Sequence, residues 1–238
     1  SFPTRRSSDL LAQAAGMSFA AYRDFVYDAV LRDWESLAAE MAGLKDRLDE
    51  GREVRIVADG TDVTIDVAGR TAVNSAASVA YDSHNLPSGE VFTAPATVDG
   101  EVTFDVPITV QGTRLHDAHL VFEDGEVVDF SARTGEAALA DVLDTDDGAR
   151  RLGELGIGTN RGITRPTDNV LFDEKMGGTV HLALGRAYDA CLPAGEAGNE
   201  SAIHVDLITR MGEGSRLLVD GEVIQRDGRF RWEDGVDG

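Results

Sequence analysis

Asp-Gly pairs set between short runs of alternating apolar residues constrain this chain more than any other feature of its sequence. Residues 54–57 and 63–67 flank Asp59-Gly60, residues 118–122 and 126–130 flank Asp124-Gly125, and residues 216–219 and 222–225 flank Asp220-Gly221. Such a pair readily adopts the positive φ of a tight turn, so each unit reads as an antiparallel hairpin. Further strands are expected at 90–93, 102–106, 108–110, 151–158 and 202–208, with Val98-Asp99-Gly100 and Pro107 as separators. Helices are expected at 134–143, capped by Thr134, and at 181–187, with a loop-rich stretch at 159–178. Ahead of all this, Tyr22, Val26, Val30, Leu37, Met41, Leu44 and Leu48 recur at three-, four- or seven-residue steps, with Trp34 filling the gap. That spacing predicts one long amphipathic helix over 18–48, started by Ser18 and ended at Asp49-Glu50-Gly51. The class is therefore α+β: a largely antiparallel β-sheet domain preceded by one long amphipathic helix.

Charge narrows the partners. With 43 acidic against 22 basic residues, the net charge is -21. Such a field repels phosphate backbones and attracts cations, which excludes nucleic acid as a partner. Lys45 and Lys175 are the only lysines. No apolar run is long enough to span a bilayer. One cysteine, Cys191, rules out an internal disulfide and points to a reducing, cytoplasmic setting. The opening residues 1–10 carry two arginines without an apolar core, so residues 1–14 are expected to be an artefact or a disordered start.

The histidines are His84, His116, His119, His181 and His204. On a strand, His204 and Asp206 share a face while Ile203, Val205 and Leu207 pack the other. Side by side among apolar residues, they call for a cation or for each other; a plain histidine–aspartate hydrogen bond accounts for them equally well. Seven residues apart on a helix, His181 and Tyr188 would share a face, as ligand and phenol or as core side chains. Glu90 and Glu154 sit among apolar residues and glycines, whereas Asp146-Asp147 and Asp173-Glu174 read as solvated loop faces and His116 and His119 as turn residues. The sequence contains no HExxH motif, phosphate loop, dinucleotide fingerprint or nucleophile elbow.

Taken in order, the blocks Leu86-Pro87-Ser88-Gly89-Glu90-Val91-Phe92-Thr93-Ala94-Pro95, Gly148-Ala149-Arg150-Arg151-Leu152-Gly153-Glu154, Asn169-Val170-Leu171-Phe172-Asp173-Glu174, His181-Leu182-Ala183-Leu184-Gly185-Arg186-Ala187-Tyr188 and Ile203-His204-Val205-Asp206 resemble the thermophilic metalloprotease family, of the aminopeptidase T and aminopeptidase S type. The resemblance runs from about residue 15 to residue 230 and includes the tail pattern from Leu218 to Ile224. It implies a pair of divalent cations (Zn, Co or Mn) that activate a water to remove N-terminal residues from peptides. Its ligands would be Glu90, Glu154, His181, His204 and Asp206, with Glu154 bridging, Tyr188 steadying the transition state and Glu174 acting as base. It also implies an N-terminal α/β domain ahead of the long helix and a homodimer, so the chain is expected to be the catalytic portion. On that reading, 15–51 is the linker helix, 52–232 the metal-binding peptidase domain and 233–238 a tail. Two rivals remain on the residues alone: a glycosidase using two of the carboxylates, and a non-catalytic acidic β-domain that binds cations or partners.

Overall fold

The computed structural model describes residues 5–81, 83 and 85–233. Three helices come first: α1 (Arg5–Ala14), α2 (Phe19–Val30) and α3 (Trp34–Glu50). The strands β1 (Glu53–Ala58), β2 (Thr61–Asp66), β3 (Val73–Ser75), β4 (Glu90–Thr93), β5 (Thr97–Phe104), β6 (Ile108–Val110), β7 (Thr113–Glu123) and β8 (Glu126–Thr134) follow. Helix α4 (Glu136–Leu143), β9 (Leu152–Gly158), the single turn α5 (Val170–Asp173), β10 (Thr179–Gly185), β11 (His204–Arg210), β12 (Arg216–Val219), β13 (Glu222–Arg226) and β14 (Arg229–Phe230) complete the chain.

The strands form two sheets, and every ladder within them is antiparallel. The larger runs β14-β13-β12-β1-β2-β5-β7-β6, with β8 also paired to β7. The smaller runs β11-β10-β9-β4-β3. One core joins them: Ile56, Val63, Val102 and Phe122 from the first sheet meet Val91, Leu155, Leu182 and Leu207 from the second, and Leu44 and Leu48 of α3 enter the same cluster. Helix α3 lies against β3 and β4, where Asn74 donates from Nδ2 to the Ala38 carbonyl at 2.9 Å.

Three expectations are corrected. The long helix is broken into α2 and α3. Asp33 accepts hydrogen bonds from the Ser36 N–H at 3.1 Å and the Ser36 hydroxyl at 2.8 Å, which caps α3 afresh, while the Trp34 indole donates to the Val30 carbonyl at 3.0 Å. An aspartate that bonds its own backbone competes with helix continuation, and the apolar period carries on across the break because both helices bury a face. Ser18 does cap α2, accepting from the Ala21 N–H, and α3 does end at Gly51. Second, residues 181–187 are not helical: 179–185 is β10, held between β9 and β11, where partners on both sides override the helix preference of leucine and alanine. Third, Asp99-Gly100 is no separator but lies inside β5. A Cβ on Gly100 would stand 2.3 Å from the Asp62 carbonyl oxygen, so this glycine serves a close approach of β5 to β2.

Smaller differences have similar causes. Residues 5–14 form a helix whose Ala12 packs in a second cluster with Tyr22, Phe25 and Phe172. Thr134 ends β8, and Gly135, at φ +84, caps α4 in its place. His116 and His119 lie on β7, not in a turn, and His119 Nδ1 is 2.9 Å from the Thr103 hydroxyl. His84 lies outside the described residues, as do 234–238 of the tail. Among the described residues no helix is long and apolar enough to cross a membrane.

Leu44 is fully buried where α3 meets the shared core. Leu44→Ala is expected to cost about 2–5 kcal/mol of unfolding free energy, read as a lowered urea midpoint.

Candidate metal centre

Register decides which side chains of the smaller sheet meet. Glu154 and Asp206 both stand opposite Ala183, His181 opposite Gly156, His204 opposite Gly185, and Glu90 opposite Gly158. Opposed residues of an antiparallel ladder project to one face, so Glu90, Glu154, His181, His204 and Asp206 share it. The other face carries Val91, Leu155, Ile157, Leu182, Leu184 and Leu207 into the core. The site face is floored with glycine and alanine for a steric reason. A Cβ on Gly156 would lie 2.0 Å from His181 Nε2, so the imidazole occupies the space a side chain would take. Beside Glu154 the ladder shifts register, leaving Gly153 as an extra residue that re-aims the strand.

Glu154 sits at the centre. Its Oε1 is 3.1 Å from His181 Nε2 and its Oε2 3.3 Å from His204 Nε2. Each imidazole meets a second carboxylate at 3.5 Å, Glu90 for His181 and Asp206 for His204. Two groups of three potential ligands result, Glu90–Glu154–His181 and Glu154–His204–Asp206, which share Glu154. His204 Nδ1 lies 2.8 Å from the Arg186 carbonyl. A carbonyl only accepts, so Nδ1 carries the hydrogen and the lone pair of the neutral ring sits on Nε2, aimed at two carboxylates. Lone pair against carboxylates is repulsive unless a proton or a cation lies between. Imidazole nitrogen and carboxylate oxygen are the donor set of zinc, cobalt and manganese sites, so the residues fit such an ion. His181 Nδ1 is buried without a hydrogen-bond partner among the described residues.

The model of the thermophilic metalloprotease (M29) family matches residues 1–230. The chain belongs to that family. Aminopeptidase T of Thermus aquaticus is 38% identical over 162 residues, which cover 62% of this chain and 40% of that protein. Aminopeptidase PepS of Streptococcus thermophilus is 30% identical over 234 residues, covering 88% and 54%. The solved structure of wild-type AmpT from Thermus thermophilus superposes with a TM-score of 0.77 at 30% identity, over 89% of this chain and 58% of that one. A 2,5-dihydroxypyridine dioxygenase from Pseudomonas putida KT2440, at 15% identity and a TM-score of 0.67, shares the fold alone. The chain spans about half, or less, of the length of the relatives it matches.

Among residues singled out in the sequence of this M29 chain, Tyr188 reaches the site by a different route from the one expected. It follows β10 in a loop, half-exposed, with its ring 5.0 Å from that of His204 and 5.5 Å from that of Phe92. Burial and the surrounding carboxylates raise its pKa, so the phenol keeps its proton. Asp173 and Glu174 are not solvated. Asp173 is fully buried and accepts from the Thr167 N–H, the Thr167 hydroxyl and the Asp168 N–H, which shapes the loop that delivers Glu174. Asp146 likewise pins the approach to β11 by accepting from Ser201 and Ala202. A cavity of about 280 Å³ opens over the cluster, lined by Tyr81, Phe92, Glu174, Tyr188, His204 and Asp206 among others. Cys191 is buried and its thiol is pushed up to about 12, chiefly by burial, so it packs and does not react.

Lys175 is the residue that sequence reading missed. Fully buried, its ammonium pairs with Glu174 and lies 3.2 Å from Glu90 Oε1. The available signal was its rarity: a lysine beside the Phe-Asp-Glu block, in a chain that otherwise uses arginine almost throughout. Burial lifts Glu90, against the pull of Lys175 and His181, and it carries Glu174 up to about 8 with help from the Glu90 charge. Burial pushes Glu154 and Asp206 the same way, but hydrogen bonds from the imidazoles outweigh it and hold both below the usual range. Burial also disfavours charge on the imidazoles. The carboxylates overcome that, raising His181 to about 9 and His204 to about 11.

Without a cation, then, both imidazoles hold protons at neutral pH. Cation uptake is expected to release about two protons near neutrality and to tighten as pH rises toward the His181 value; calorimetry in buffers of differing ionisation enthalpy counts them, and no release would exclude the histidines as ligands. Because both values lie above the ordinary 6.5, the imidazoles stabilise the metal-free fold below that pH, and the contribution fades as pH climbs through about 9 for His181. Lys175→Met strips the cation from two buried carboxylates and is expected to cost about 3–5 kcal/mol in the metal-free chain, measured by urea unfolding.

Proposed function

We propose that the chain carries the catalytic centre of a metal-dependent aminopeptidase that hydrolyses N-terminal residues from peptides. The observation that carries this reading is Glu154, whose two oxygens each face a different imidazole, each backed by its own second carboxylate. Glu90, Glu154 and His181 would hold one divalent cation, and Glu154, His204 and Asp206 the other, with zinc, cobalt or manganese suited to both. Bound there, such ions supply Lewis acidity for the scissile carbonyl and lower the pKa of water. M29 membership and the aminopeptidase names of the relatives support the substrate class.

The remaining roles fall to side chains around the cluster. Glu174, which lines the cavity and is lifted to about 8 by burial, would accept a proton from the attacking water and return it to the leaving amine. Tyr188, held protonated beside His204, would donate to the oxyanion of the tetrahedral intermediate. Glu154 and Asp206, both held ionised, make the cavity acidic, which suits the ammonium end of a peptide. A cytoplasmic setting agrees with the free, buried Cys191, and the family likeness supports a homodimer.

The test joins metal content with hydrolysis of leucine-p-nitroanilide before and after addition of Co²⁺. His181→Ala and Asp206→Ala should each lower bound metal, and unchanged content would refute the ligand assignment. Tyr188→Phe should keep its metal while kcat falls about 10²–10³-fold. Bound metal with no hydrolysis would favour an acidic cation-binding domain instead.

A further inference from the structure

The metal ligands His204 and Asp206 belong to an edge strand. β11 pairs with β10 on one side only. Its register is constant from Thr179↔Arg210 to Gly185↔His204. The Arg186 N–H donates to the Ile203 carbonyl, and the Met211 N–H to the Gly178 carbonyl, so residues 203, 205, 207, 209 and 211 turn their backbone groups toward β10. Residues 204, 206, 208 and 210 therefore turn theirs outward.

The outward groups fare differently along the strand. At its far end they are covered: the Ile208 carbonyl accepts from the Val106 N–H at 3.2 Å, and the Arg210 N–H donates to Asp105 Oδ1 at 2.8 Å. At His204 and Asp206 neither the N–H nor the carbonyl finds a partner among the described residues. Beyond Val106 the chain continues into β6, itself the end strand of the larger sheet. There a cavity of about 590 Å³ is lined by apolar Ile108, Val110, Val142 and Val170, by polar Thr109, Asp168 and Asn169, and by residues 203–206. An unpaired backbone edge, a cavity with an apolar side, and the two proposed metal ligands thus meet along the same few residues.

We infer that this edge is the docking track for the peptide substrate, which adds as an extended strand beside His204–Asp206 with its downstream side chains in the cavity against β6. The inference rests on the aminopeptidase reading and adds to it the part of the substrate that lies beyond the scissile bond. Main-chain pairing is indifferent to side-chain identity, so one track accepts many sequences while the cluster fixes the N-terminal residue. The ligands and the track being parts of one strand, a peptide that pairs with β11 is brought beside the cluster without any further element.

The experiment uses the Co²⁺-loaded chain with leucine-p-nitroanilide, the pentapeptide Leu-Ala-Ala-Ala-Ala, and pentapeptides N-methylated at one amide at a time beyond the scissile bond. Methylation of an amide that faces the edge removes one hydrogen bond, and kcat/KM should fall about tenfold, mainly through KM. Methylation at the intervening residue should change it little, which gives an alternating pattern that a simple preference for length would not produce. A response without alternation, while the anilide and the parent peptide are both hydrolysed, overturns the edge pairing and leaves the aminopeptidase reading standing. Such a response together with a dimer in sedimentation would assign the edge to a second copy of the chain. Failure to hydrolyse any of the compounds with metal bound overturns both.

Discussion

Everything at the site depends on crowding negative charge onto one buried face of a five-stranded sheet. Glu90 and Glu154 are almost without solvent, Asp206 and Glu174 stand beside them, and buried like charges repel strongly unless cations lie among them. Protonated imidazoles and the Lys175 ammonium meet that demand in the metal-free chain. Divalent ions, on the proposed function, would meet it with more charge per group. The same imbalance that makes the cluster costly to fold makes it a trap for cations.

The sheet tolerates this because its two faces do different work. Leu155, Ile157, Leu182, Leu184 and Leu207 lock the strands to the larger sheet, and that apolar face holds the ladder while the polar face strains against itself. Small residues between the ligands let them converge: Gly156 yields its volume to the His181 ring, and the extra residue Gly153 turns β9 beside Glu154. The core thus supplies rigidity, and the glycines supply room. The overall charge of -21 has little part in this, since at distances beyond about 8–10 Å exposed charge is screened by salt while the buried carboxylates are not.

Much of the architecture was legible in local signals. Asp59-Gly60, Asp124-Gly125 and Asp220-Gly221 mark real hairpins because a tight turn is decided by a few adjacent residues. Asp99-Gly100 carries the same letters without making a turn, because there the approach of a neighbouring strand decides. The helical period from Tyr22 to Leu48 was right about burial and wrong about continuity, since Asp33 acts through a hydrogen bond that periodicity does not register. The segment from His181 to Ala187 was misread as helix because its leucines and alanines suit either state and only β9 and β11 settle which. Lys175 escaped notice because its pairing with Glu90 spans distant parts of the chain.

From its sequence alone, this protein could be known to build antiparallel hairpins, to carry a strong negative charge and to alternate ligand-type and apolar residues on the strand of His204 and Asp206. These depend on turn chemistry, composition and the two-residue period of a strand, all of which are local. Only the tertiary structure decided that Glu154 faces both imidazoles, that Lys175 balances Glu90 and Glu174, and that the edge of β11 lies open beside the cluster. The first and the last depend on register between strands, the second on how the turn between α5 and β10 folds against β4, and all three are chosen by the packing of the whole core.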